Sequence, residues 1–221
     1  MRLAQELIAG EGGPPVTYPK ALALLKLLRD SAREVADWNV VLDFVRKLPS
    51  QFADEPEVQE IRAFAGAQAG NNVQAIAELQ TLIDLTGPTS ERLGLLGGRY
   101  KRLPNLEKAI EAYEQGMELD LNAYYCSSNL PRLYRARARA GDEELAQTAL
   151  RLTITACQRA IKLKVSDEWV RPTLLSAAFD LGDPYKAESL ANEVMDEGPA
   201  ACPLLSQNGR IHFFQFIGSN S

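Results

Sequence analysis

The stretch Ser90–Leu121 reads SERLGLLGGRYKRLPNLEKAIEAYEQGMELDL. Leu93, Leu96, Gly97 and Tyr100 precede a Pro-Asn break at 104–105, and Ala109, Tyr113 and Gly116 follow it. Spacings of three and four place each set on one face of a helix. Small residues at Gly97, Ala109 and Gly116 allow two antiparallel helices to approach closely, and Leu93, Leu96, Tyr100 and Tyr113 fill the space between them. Gly94, Gly97 and Gly98 fall inside the first helix and read as packing glycines. No GxxxxGK[ST] phosphate loop occurs in the chain.

The same pattern recurs upstream. Val41, Ala75 and Ala109 are 34 residues apart, as are Val45, Leu79 and Tyr113, and Leu48, Leu82 and Gly116. A generic bundle keeps the helical period but has no reason to keep a 34-residue one, which is that of tetratricopeptide repeats. The expected fold is all-α, a right-handed tetratricopeptide superhelix (an α-solenoid) of about five helical pairs.

Working outward, residues 1–17 read as an N-terminal segment and Gly/Pro loop, 18–199 as the solenoid and 200–221 as a tail. In the first repeat Ala21, Leu24, Leu25, Leu28 and Ala32 form one stripe, and Asp37 is the expected N-cap of the second helix. The second repeat runs from about Glu57 to Gly87, with Gly70-Asn71-Asn72 as its turn. The fourth has its first helix near Tyr124–Ala140, where Pro131 is tolerable only in the first turn. After Gly141-Asp142 a helix of some 22 residues, or ~33 Å, carries Ala146, Ala149, Leu150, Thr153, Cys157, Ala160 and Ile161 inward. The period resumes after an insertion of about ten residues (Thr153 and Cys157 to Ala187 and Ala191). The fifth repeat spans about Asp167–Pro199, with Trp169, Leu174, Leu175, Ala178 and Leu181 in its first helix. Beyond it lies a short aromatic run, Ile211–Ile217, which either covers the open end of the solenoid or awaits another domain or subunit.

The formal net charge of −5 argues against a general nucleic-acid binder. Three scattered cysteines (Cys126, Cys157, Cys202), no CxxC and a single histidine, His212, argue against a zinc site and for reduced, buried thiols in the cytoplasm. No apolar run reaches membrane-spanning length. Glu6, inside the short apolar stretch of the N-terminus, argues against a signal peptide. No carboxylates sit in an acid/base pair motif, and neither catalysis nor a cofactor is expected.

Three blocks carry a more specific signal: GPTSERLGLLGGRYKR (87–102), KAIEAYEQGMELDLNAYYCSSNL (108–130) and DEWVRPTLLSAAFDLGD (167–183). In that order they resemble the TRAF-binding central region of the apoptosis signal-regulating kinases, and more closely bacterial proteins with the same helical domain. The resemblance implies a tetratricopeptide scaffold of the kind that in those kinases regulates an attached catalytic domain and recruits partners, here expected to work in bacterial stress or conflict signalling beside a separately encoded effector enzyme. This chain departs from it in lacking kinase motifs. Cys126-Ser127-Ser128 and Pro131 stand where the bacterial relatives carry a Pro-Gly-Ile-Asn-Ala-like segment, although Asn129 fits.

Candidate partner-binding residues follow from the repeat geometry, in which first helices line a concave groove. Arg99, Lys101 and Arg102 end one first helix, and Arg132 and Arg135 lie on the next, with Arg137 and Arg139 beyond. Arginines supply bidentate donors for an acidic peptide, a carboxylate or a phosphate. Tyr125 and Asn129 add an aromatic anchor and an amide. The competing reading is a solvated face paired with Asp120, Asp142, Glu143 and Glu144. The expected function is a non-catalytic scaffold or adaptor binding a protein or peptide, with no nucleic-acid or membrane partner. The alternative is a sensor of a phosphorylated small molecule.

Overall fold

The computed structural model describes residues 17–165, 169–182 and 184–196. All regular structure among them is helical: α1 (Tyr18–Ser31), α2 (Val35–Lys47), the single turn α3 (Ser50–Ala53), α4 (Pro56–Gln68), α5 (Asn72–Thr86), α6 (Ser90–Arg102), α7 (Leu106–Leu119), α8 (Tyr124–Arg137), α9 (Asp142–Leu163), α10 (Val170–Asp180) and α11 (Pro184–Asp196). The chain divides into two compact units with the boundary between Ala112 and Tyr113, inside α7.

In the first unit α1 packs on α2, α2 on α4, α4 on α5 and α5 on α6. First helices also touch their successors, α1 with α4 and α4 with α6. That is how stacked helical pairs bury a face none of them could bury alone. Val41, Ala75 and Ala109 are all completely or almost completely buried, and Leu48 and Leu82 are buried with them. The core around α1 and α2 gathers Ala21, Leu25, Val41, Phe44, Val45, Val58 and Ile61. Trp38 meets Phe64 edge-on at 5.4 Å between ring centroids, a favourable arrangement of ring quadrupoles.

Local chemistry fixes the helix ends. Pro19 and Pro56 occupy first turns, where a missing N–H costs nothing. Thr89 caps α6, its hydroxyl accepting from the Arg92 amide at 3.2 Å. Gly87, at φ 87°, ends α5 in a conformation that L side chains rarely adopt. Asp37 is not the N-cap of α2. The helix begins two residues earlier, and Asp37 occupies its third position, accepting from the Arg33 and Glu34 amides at 2.9 and 3.1 Å. The reason is geometric: a carboxylate one turn in reaches back to amides the helix leaves open. Those two bonds lower the Asp37 pKa.

In the second unit α8 packs on α9, α9 on α10, α10 on α11, and α8 touches α10. The long helix appears as Asp142–Leu163, 22 residues, with Ala146, Ala149, Leu150, Thr153 and Cys157 buried. Ala160 and Ile161 are half-buried against the core that also holds Leu174, Leu175, Ala178, Ala187 and Leu190. Cys126 and Cys157 are buried and form no disulfide.

Three expectations are corrected here. Pro131 lies in the interior of α8 and is buried, not in its first turn. Proline cannot donate to the Ser127 carbonyl one turn back. In the turn before it, side chains bond back to the backbone: the Ser127 hydroxyl donates to the Tyr124 carbonyl (3.1 Å), and the Ser128 hydroxyl and Asn129 amide both donate to the Tyr125 carbonyl (3.0 and 2.9 Å). The Ser127 hydroxyl also meets that of Thr153 on α9 at 2.9 Å. Second, α8 ends at Arg137, with Ala138 left-handed at φ 54°. Third, Trp169 precedes α10 and is exposed, not part of its core. The readings of residues 1–16, Asp167, Asp183, the Val194 side chain, Cys202, His212 and the 197–221 segment fall outside the described residues.

Replacing Ala109 by Leu should overpack the α7 contact and lower stability by about 1–3 kcal/mol. Unaltered thermal unfolding of that variant would show that the 34-residue register is misassigned.

Candidate functional site

Arginines decide the chemistry of this molecule, and the structure sorts them into distinct jobs. Arg92 is buried in the first unit. Its Nε donates to Glu60 on α4 at 3.0 Å, and its Nη1 donates to the Thr86 hydroxyl (2.7 Å) and the Gly87 carbonyl (2.9 Å). One guanidinium therefore closes the end of α5 and ties α6 to α4. Burial pushes the Glu60 carboxyl up, with the Arg92 hydrogen bond opposing it. Sequence reasoning missed this pair. Its partners are 32 residues apart, close to one repeat, and that spacing was the available signal.

Of the first candidate cluster, Arg99 is buried within α6, Lys101 is half-buried and Arg102 is exposed. These three do not share one solvent-facing stripe. Lys108, at the start of α7, lies 5.4 Å over the Tyr100 ring, whose hydroxyl accepts from the Gln80 amide at 2.8 Å.

The second cluster is built on α8. Tyr125, Asn129 and Arg132 recur at intervals of four and three and so share a face. Tyr124 and Tyr125 split: Tyr124 packs against the core, and Tyr125 is 47% exposed. The Tyr125 ring also meets Tyr113 edge-on at 6.1 Å, which fixes one edge and leaves the rest open. Arg132 points across to α10, donating to the Ser176 hydroxyl at 3.2 Å and lying 3.7 Å from an Asp180 carboxylate oxygen. Its side chain remains 41% exposed.

Arg135 is more firmly engaged. It forks onto Glu143 with two bonds of 3.0 Å and reaches the Asp180 carbonyl, at the end of α10, at 3.5 Å. A cation there also opposes the negative end of the helix dipole. The hydrogen bond from Arg135 is the main reason the Glu143 carboxyl is pulled down to about 2, with Gln147 assisting. Arg137 forks in the same way onto Asp142, at 3.1 and 2.6 Å, and lies 5.3 Å over the Tyr134 ring. Asp142 accepts the Arg139 amide as well (2.8 Å), and these bonds lower its pKa against the opposing effect of burial. Tyr134 donates its hydroxyl proton to Glu114 at 2.7 Å; burial and then this carboxylate raise its pKa. Asp142 and Glu143, suggested by sequence as surface partners, are thus the partners of Arg137 and Arg135. Ser176 and Asp180 were not singled out beforehand, because the ten-residue insertion obscures which α10 positions lie beside α8.

Among the described residues no group of three or more His, Cys, Asp and Glu could hold a metal ion. No helix among them is long and apolar enough to cross a membrane.

The family profile described as "TPR-S: Tetratricopeptide Repeats-Sensor" matches residues 37–134. These are tetratricopeptide-like repeats. Among solved structures the chain is similar to TTC0263, a thermophilic TPR protein of Thermus thermophilus, at 14% identity and a TM-score of 0.61, covering 83% of this chain and 92% of that one. It is also similar to a tetratricopeptide repeat protein from Parabacteroides merdae, at 17% identity and a TM-score of 0.58, covering 90% and 72%. A human IFIT1 dimer with PPP-AAAA aligns over 90% of this chain but 46% of its own, at 13% identity and a TM-score of 0.62. At these identities the likeness shows the fold: all-α, of the helical-repeat solenoid class. No curated protein matches the chain.

Because its pKa is depressed, Glu143 contributes stability above the ordinary glutamate range that is lost as pH falls through about 2. A carbon-detected NMR titration should place its midpoint near that value. In Arg135→Ala the midpoint should return towards the ordinary range; an unmoved midpoint would mean the fork is not what holds it. Arg92→Ala should cost about 3 kcal/mol or more in urea unfolding, because it leaves Glu60 without its charge partner.

Proposed function

We propose that this chain is a non-catalytic interaction module that binds a protein or peptide, acidic at its point of contact, on the α8 face formed by Tyr125, Asn129 and Arg132. The observation that carries the reading is the contrast between two arginines one turn apart. Arg135 forks onto Glu143 with two bonds of 3.0 Å, while Arg132, about as exposed, meets only a hydroxyl and a long ionic contact. An incoming carboxylate offers Arg132 a bidentate partner stronger than either. Tyr125 beside it supplies apolar area of the kind that anchors protein contacts. Arg135 then serves as the brace that holds α8 against α9 and α10.

A cytoplasmic regulatory role beside a separately encoded effector fits this reading. It is supported by the blocks resembling the central region of the apoptosis signal-regulating kinases. The word "Sensor" in the matching profile favours a second reading, in which Arg132 and Ser176 bind a phosphorylated small molecule. The IFIT1 dimer is seen with PPP-AAAA, but the net charge of −5 here disfavours a nucleic-acid partner.

Affinity capture from the source cell's lysate with the wild type, Arg132→Ala and Tyr125→Ala tests this. A protein retained by the wild type and lost at least tenfold by both variants supports the proposal. A phosphorylated small molecule that co-purifies and is lost with Arg132→Ala moves the assignment to the sensor. Partners bound equally by all three would overturn both.

A further inference from the structure

A second surface lies on α9. From Arg151 to Lys164 the sequence holds four cations and no carboxylate. Arg151, Arg159 and Lys162 recur at intervals of eight and three, so they share one side of the helix, and all three are exposed. Arg135 and Arg137 of the same unit fork onto acids. Among the described residues no carboxylate pairs with Arg151, Arg159 or Lys162. Arg159 and Lys162, three positions apart, repel one another, and nothing along that side of α9 relieves them. A cationic row of this kind in a chain of net charge −5 suits an anionic occupant.

The chain itself carries a matching row. Residues 107–120 hold five carboxylates and one lysine. On α7, Glu107, Glu111 and Glu118 recur at intervals of four and seven, and all are exposed. Glu107 and Arg151 are 44 residues apart, as are Glu118 and Lys162, which is the repeat plus the ten-residue insertion. Equivalent outer positions of two second helices therefore carry opposite charge. Each row is 11 residues long, or ~16 Å. Laid antiparallel, the rows bring Glu107 opposite Lys162, Glu111 opposite Arg159 and Glu118 opposite Arg151, in step to within ~1.5 Å along the axis. We propose that the cationic row of α9 docks antiparallel on the acidic row of α7 in a second copy of this chain. The match in length, spacing and sign selects that occupant. The equivalent stretch of the preceding second helix, 73–86, offers only Glu78 and Asp84, and Glu78 already meets Arg62. A nucleic acid or a lipid surface would take the cations and make no use of the acidic row.

Neither row includes Tyr125, Asn129 or Arg132, so the test stands apart from the reading of α8. Sedimentation velocity of the full chain over a concentration series reads the association directly. The wild type should self-associate at low ionic strength, and less as added salt screens the rows. Arg151→Glu with Arg159→Glu, and separately Glu111→Lys with Glu118→Lys, should each weaken self-association at least tenfold. Circular dichroism should show both variants folded, because all four positions are exposed. Mixing the two charge-reversed variants should restore association, since each row then meets its opposite. A wild type that stays monomeric throughout would overturn the proposal. So would self-association that neither reversal weakens, or a mixture that stays monomeric while both variants are folded.

Discussion

Each second helix must bury one narrow face against its neighbours, and the rest of the structure depends on that. At the equivalent positions Val41, Ala75 and Ala109 almost nothing of the side chain reaches water. Only small or β-branched residues stand there, so the spacing of helices is set by how closely backbones can approach. A chain built this way gains stability repeat by repeat, from contacts between neighbours.

Arginine chemistry adds what apolar packing lacks, which is direction. Arg92 joins three elements through Glu60, Thr86 and Gly87. Arg135 and Arg137 fork onto acids at the start of α9. A fork fixes orientation as well as distance, so these pairs set how α8 lies on α9 while side chains one turn away stay available. Pro131 contributes to the same end. It removes a backbone bond from the middle of α8, and the side chains of Ser127, Ser128 and Asn129 bond back to carbonyls in the turn before it. The face offered by Tyr125, Asn129 and Arg132 is thus carried by a helix braced from its buried side.

Most of the architecture was legible in the sequence because it rests on periodicity. The break at 104–105, the turn at Gly70 and the 22-residue helix all appear where the spacing of small and apolar residues puts them. What was not legible depends on the third dimension. Asp37 carries the composition of a cap, yet a helix that starts two residues earlier uses it from within. Arg99 and Arg102 look alike in sequence, but one is buried and the other exposed. The α8 arginines were visible as a cluster, while their different commitments were not, since Glu143, Ser176 and Asp180 reach them only once α9 and α10 are packed alongside.

The central claim is that partners engage the exposed face of α8. Hydrogen–deuterium exchange of the full chain, with and without its captured partner, tests this most directly. The account predicts slower exchange on binding in the segments that contain residues 125–132 and 176–180. Protection confined to α1–α5, with those segments unchanged, would contradict it.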